Sequence, residues 1–107
     1  MRQVDTQRLF TQAQSLLASG RLAEAETICR RLLQIDPKNS DLLNQIGLLC
    51  YRQGKLDEAE RQIRRAISAG AHRADYHANL SGVLLAQRRP VDAIATLTAS
   101  TVAVAPS

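Results

Sequence analysis

The chain has 107 residues, enough for one domain and short for two. Its hydrophobic fraction of 45% and charged fraction of 22% exclude a disordered tract, and the dominance of good helix formers over a meagre aromatic set (Phe10, Tyr51, Tyr76) points to an all-helical domain. The net charge of +4 is dispersed, with six cations against four acids in residues 1–39, the same in 40–73, and two against two in 74–107. Without a basic block or aromatic-interleaved patch, that balance argues against nucleic-acid binding.

The first predicted helix runs from about Asp5 to Ser19, with Leu9, Ala13, Leu16 and Leu17 on one face. It ends at Ser19–Arg21, where Gly20 suits the left-handed turn after a helix. The second covers roughly Leu22 to Ile35 on Leu22, Ala25, Cys29, Leu32 and Leu33, and Pro37 stops it. Asn39 or Ser40 can cap a third helix carrying Leu43, Ile46, Gly47 and Cys50, which closes at Gly54. The fourth, about Asp57 to Ala69, turns Ala59, Ile63, Ala66 and Ile67 inward, with Gly70 as its expected cap. The fifth spans Asp75 to about Gln87 on Leu80, Ser81 and Leu84. Pro90 opens the sixth, which uses Ala93, Ile94 and Leu97 and fades into TVAVAPS.

The segment GRLAEAETICRR (Gly20–Arg31) returns at a fixed lag as GKLDEAERQIRR (Gly54–Arg65). A more worn third copy follows, since Ala25, Ala59 and Ala93 stand 34 apart, as do Glu24, Glu58 and Asp92. Gln53 and Gln87 keep the same interval. Six helices in three antiparallel pairs follow from the short connections.

This period and content resemble the tetratricopeptide repeat (TPR) family. The resemblance covers nearly the whole chain as a single domain of three repeats, about 6–39, 40–73 and 74–107. It rests on Ile46-Gly47 and, more loosely, Leu80-Ser81 and Gln12-Ala13; on Ala25, Ala59 and Ala93; and on Cys29, Ile63 and Leu97, one helical turn after them. Pro37 matches the family's closing proline, but Ala71 and Ala105 stand at the later two sites, and Leu9, Leu43 and His77 replace its early Trp. The implied fold is an all-α, right-handed superhelix of three helix-turn-helix repeats. Gly47 and Ala59 would let paired helices approach closely.

Enzyme signatures are missing: there is no glycine-rich phosphate loop, nucleophile elbow or HExxH. His72 and His77 lack companions for a metal site, so no cofactor is expected, and His77 reads as a packing residue. Cys29 and Cys50 read as buried free thiols. The absence of a signal-like or membrane-length apolar run points to a cytoplasmic chain, unless it is part of a larger protein. Arg30, Arg31, Arg61, Arg64 and Arg65 fall on the convex side, where Glu26–Arg30, Glu60–Arg64 and Asp57–Arg61 would form a self-paired face.

The resemblance implies a concave groove on the first helices that binds a peptide or helix of a protein partner. Its expected contacts are Phe10, Gln14 and Leu17 from the first repeat, Asn44, Gln45, Leu48, Tyr51 and Arg52 from the second, and Asn79 and Leu85 from the third. Gln7, Thr11, Asp41, Asp75, Ala78, Gly82 and Ala86 also map to this side. The carboxylate clamp of co-chaperone TPRs is absent, because Phe10, Gln14, Asn44, Leu48, Ala78 and Gly82 stand where its Lys, Arg and Asn would be. The asparagine ladder of O-GlcNAc-transferase arrays is matched in part by Thr11, Gln45 and Asn79. The bland alternative is that Phe10, Leu17, Leu48, Tyr51 and Leu85 pack on neighbouring repeats. On the groove reading, replacing Tyr51 and Asn44 by Ala abolishes binding without unfolding.

Two rival roles are a non-catalytic recognition array of a larger transferase and a structural, self-associating piece. The latter follows from Ile94, Leu97, Val102 and Val104, which have no covering helix in this sequence and point to a homodimer through the sixth helix.

Overall fold

In the computed structural model, residues 3–69 and 73–104 are described, with side chains for 6–69 and 73–98. The readings placed on Gly70, Ala71, His72, Ala105 and the side chains of Val102 and Val104 lie outside those limits. Six helices follow one another: α1 (Gln3–Ala18), α2 (Leu22–Ile35), α3 (Ser40–Arg52), α4 (Leu56–Ser68), α5 (Ala74–Ala86) and α6 (Pro90–Val104). The pairs α1/α2, α3/α4 and α5/α6 pack most extensively, and among the described residues each pair touches only its sequence neighbours.

The punctuation repeats with the period. Gly20 (φ 82°), Gly54 (φ 79°) and Arg88 (φ 62°) all adopt the left-handed conformation after the first helix of a pair. Each is followed by the same 2.9 Å backbone bond reaching back to the helix, from the N–H of Arg21 to Leu16, of Lys55 to Cys50 and of Arg89 to Leu84. Arg88 is the non-glycine in this series, and an L-residue there carries backbone strain. We expect Arg88→Gly to stabilise the domain by about 1 kcal/mol, read as a raised denaturation midpoint.

α3 begins with the expected side-chain cap, Asn39 Oδ1 accepting the Leu42 N–H at 3.0 Å. The core joins all three pairs: Ala13, Cys29, Ile46, Ile63, Leu80 and Ala93 share one buried cluster. Gly47 faces α4 so closely that a Cβ there would lie 2.4 Å from Ile63 Cγ1 and 3.3 Å from the Ala59 carbonyl oxygen.

Tyr76 is the largest fully buried side chain, packed with Leu43 and Ala66; it lies on the same face of α5 as Leu80 and Leu84, one turn before the positions expected as core. His77 is buried beside it, as expected, with Nδ1 3.1 Å from the Arg73 carbonyl oxygen, so that this nitrogen carries the proton. The two residues stand one repeat after the buried pair Leu42 and Leu43.

Candidate functional site

Helices α1, α3 and α5 carry every residue expected in the groove, and neighbouring first helices touch (α1 with α3, α3 with α5). Their side chains divide into a floor and an exposed surface. Leu17 belongs to the floor, buried with Ala25 and Leu49, and half-buried Leu48 packs against the same cluster. Asn44 and Gln45 are also buried, 8% and 7% exposed, and Asn79 Nδ2 donates to Asn44 Oδ1 at 3.1 Å. The Asn79 amide that the ladder comparison would offer a peptide is thus engaged between α5 and α3. The Arg52 guanidinium donates to the Leu17 carbonyl, tying the end of α3 to the end of α1.

The exposed surface is made by Gln14, Tyr51 (40% exposed) and Leu85 (56% exposed), with half-buried Phe10 toward the start of α1. Leu17, Tyr51 and Leu85 are equivalent positions in successive repeats, yet the first is buried and the other two are not. Because Asn44 is committed to Asn79, replacing it disturbs the α3–α5 contact as well as any groove. Gln14, exposed on α1, is the cleaner companion to Tyr51 in a binding test.

Polar contacts between second helices and the next pair recur with the same interval. Gln53 Nε2 donates to Glu26 Oε1 at 2.9 Å, and one repeat on Gln87 Nε2 donates to Glu60 Oε1 at 3.2 Å. The Glu26 carboxyl is held below its usual range by the Gln53 amide and then by Arg30. Burial pushes Glu60 upward, but hydrogen bonds from Arg64 and Gln87 outweigh it and the net direction is down. Glu26–Arg30 (2.8 Å) and Glu60–Arg64 (3.0 Å) form as expected. The third expected pair differs: Arg61 binds Glu58 at 2.7 Å, because Asp57 turns to accept the Gln87 amide at 2.9 Å.

Cys29 and Cys50 are buried free thiols. Burial pushes Cys29 up to about 11 and raises Cys50 as well, so neither is a ready nucleophile at neutral pH. No group of three or more His, Cys, Asp or Glu side chains that could hold a metal occurs among the described residues. Nor is any helix of the described residues long and apolar enough to cross a membrane.

A pocket of about 440 Å³ opens where the first helices meet the α2–α3 connection, lined by Thr6, Gln7, Phe10, Leu32, Ile35, Asp36, Asn39, Asp41 and Leu42. Nothing in the sequence pattern announces this cavity. Its walls come from three helices and the connection between two of them, which no single helical periodicity relates.

Set beside known proteins, the chain matches the tetratricopeptide repeat model over residues 16–81, more than half its length. It is 41% identical over 59 residues to Cellulose synthase 1 operon protein C of Komagataeibacter xylinus, which covers 55% of this chain and 4% of that protein. A Thermobaculum terrenum O-GlcNAc transferase mutant superposes with a TM-score of 0.86 at 33% identity, over 94% of this chain and 20% of that one. YrrB, described as a TPR protein with an unusual peptide-binding site, superposes with a TM-score of 0.78 at 20% identity, over 87% of this chain and 48% of that one. The chain therefore spans a small fraction of the length of its curated relatives. The all-α, three-repeat stack expected from the sequence is the architecture it shares with these structures. With its period, its packing and its matched model in agreement, the chain belongs to the tetratricopeptide repeat family, whose repeats form helical scaffolds for protein–protein interaction.

Proposed function

We propose that this chain is a non-catalytic, cytoplasmic interaction module that holds an extended segment of a partner protein along α1, α3 and α5. The observation that carries the reading is the pair Tyr51 and Leu85, large apolar side chains that stay exposed at the same place in successive repeats. Single exposed apolar residues are ordinary, but two in periodic register make a strip that a peptide with spaced apolar side chains can follow. Gln14 adds an amide that can bond the peptide backbone. The test is to select short linear peptides against residues 1–107 from a displayed library and measure their affinity. We expect Tyr51→Ala with Gln14→Ala to abolish binding while leaving the helical circular dichroism and melting unchanged. Undiminished affinity in the double variant sinks the groove reading.

A role as the recognition array of a larger transferase is favoured by the Thermobaculum likeness. An antibody against residues 1–107 separates the two readings by the mass of the native polypeptide. A band near the 11.7 kDa of this chain favours a stand-alone adaptor, and a band several times heavier favours the array.

Self-association is proposed for α6. Val91 and Ile94 are 77% and 65% exposed, and one repeat earlier Asp57 and Glu60 stand in their places. Those two acids receive Gln87 from the following pair. α6 therefore lacks the acids that latch one pair to the next and offers an apolar surface whose one charged side chain is Asp92. At the opposite end α1 exposes Arg8, Gln12 and Ser15, a poor match for that surface, so α6 best meets the α6 of a second copy. Sedimentation should show a concentration-dependent dimer that Ile94→Glu converts to monomer. A wild-type monomer at high micromolar concentration overturns this.

A further inference from the structure

The pocket at the α2–α3 connection sets apolar side chains beside an acid that no cation among the described residues neutralises. Phe10, Leu32, Ile35 and Leu42 supply the apolar lining, and Ile35 is 47% exposed at its edge. Asp36 and Asp41 supply the charge, and none of the lining residues is a cation. The two acids are not equivalent. Asp41 is bound by the Arg73 guanidinium at 3.2 Å and by the Tyr76 hydroxyl. Asp36 has no ion pair among the described residues, and its one side-chain partner is the Asn39 amide at a long 3.4 Å. Elsewhere Glu24, Glu26, Glu58, Glu60, Asp75 and Asp92 each lie in an ion pair, and Asp57 accepts the Gln87 amide. Among the described residues, this carboxylate at the edge of the cavity is met by no cation within ion-pair distance.

Its position adds to the same field. Asp36 follows the last residue of α2, where the helix dipole presents its negative end. Pro37 has no N–H with which to close the bond to the Leu33 carbonyl. A cation held at this point is favoured by the carboxylate and by the helix terminus together. The cavity volume of about 440 Å³ lies within the range of about 300–1,000 Å³ typical of ligand pockets, with room for a large apolar side chain and the start of its neighbour.

We propose that this pocket takes an apolar side chain whose neighbour carries a positive charge, so that an apolar–basic pair marks one end of the segment bound in the groove. Phe10, Gln7 and Asp41 belong both to the pocket and to the groove-facing positions, which makes the two surfaces continuous. The inference rests on the groove reading for the remainder of the segment.

The probes are three end-blocked synthetic peptides, identical except for a central leucine–arginine, leucine–glutamate or serine–arginine pair, measured by fluorescence anisotropy against residues 1–107. The leucine–arginine peptide should bind about tenfold more tightly than the leucine–glutamate one, with an advantage that shrinks as salt is raised. Asp36→Asn, which keeps the shape, should bring that ratio close to one without changing the melting temperature. Ile35→Ser should weaken both leucine peptides. A ratio near one on the wild-type chain, a ratio indifferent to Asp36→Asn, or no binding by any probe overturns the proposal. The Tyr51→Ala, Gln14→Ala variant keeps the two readings apart. If it weakens all the peptides while the charge ratio is flat, the pocket assignment fails and the groove stands. If it changes nothing while Asp36 still sets the ratio, the groove reading fails and the pocket stands alone.

Discussion

Gly47→Val should destabilise the domain by about 3 kcal/mol or more, the upper part of the range for over-packing a close-packed interior. The Cβ alone would meet Ile63 Cγ1 at 2.4 Å, and Ile63 is fully buried. The Ala59 carbonyl oxygen at 3.3 Å is backbone and cannot rotate away. α3 and α4 must then separate, and theirs is the most extensive helix contact in the molecule. Gly47→Ala makes the conflict measurable. Its gain in helix propensity is about 1 kcal/mol, so any net loss is steric. On an Ile63→Ala background Cγ1 is gone and only the tight contact with the Ala59 carbonyl remains, so the same added methyl should cost much less or become favourable. Urea denaturation of the four proteins gives the coupling directly. Gly82 supplies the control: a Cβ there meets nothing within 4 Å, so Gly82→Ala should be neutral or stabilising.

These two glycines also show what can be read from the sequence. Gly47 falls in a large–small pair that recurs with the repeat, so its role as the close-approach residue is legible without coordinates. The helix boundaries are legible for the same reason. Gly20, Gly54 and Pro90 punctuate a periodic pattern, and each predicted boundary lies within a residue or two of the observed one. The candidate site is less legible. A first helix has one face toward its own pair, flanks toward neighbouring first helices, and a strip toward solvent. The 3.6-residue periodicity of a single helix separates the first from the rest and cannot divide the other two. The family resemblance accordingly puts Asn44 and Gln45 in the open groove, whereas both are buried and Asn44 holds Asn79 across the repeat boundary. The latches from Gln53 to Glu26 and from Gln87 to Glu60 lie in plain sight as a repeated Gln and a repeated Glu. Periodicity within one helix gives no reason to join them. That missing link also misassigns Asp57, whose partner is in the next pair and not one turn away on its own helix.

Tyr76 shares a face of α5 with Leu80 and Leu84, and what periodicity does not show is how much of the second repeat it reaches. It is 1% exposed, packs on Leu43 of α3 and Ala66 of α4, and its hydroxyl donates to Asp41 at the start of α3. The Arg73 guanidinium stacks 5.3 Å from the ring centroid and also binds Asp41. One side chain on α5 thereby joins the third repeat to both helices of the second. In a stack where, among the described residues, each pair touches only its neighbours, stability is the sum of pair and interface terms. Within residues 1–107 the third pair is held through its interface with the second. Tyr76→Ala should cost about 3–5 kcal/mol, the range for deleting a buried aromatic. The loss falls almost wholly on that interface, so the third repeat should detach before the first two unfold. The expected signature is a two-step urea transition, or a single one with a reduced m-value because α5 and α6 are already open at its start. Tyr76→Phe keeps the packing and removes the hydroxyl, leaving Asp41 to Arg73. It should cost about 1 kcal/mol and leave the transition cooperative. If Tyr76→Ala instead lowers the midpoint at an unchanged m-value, the third repeat is coupled through contacts other than this ring.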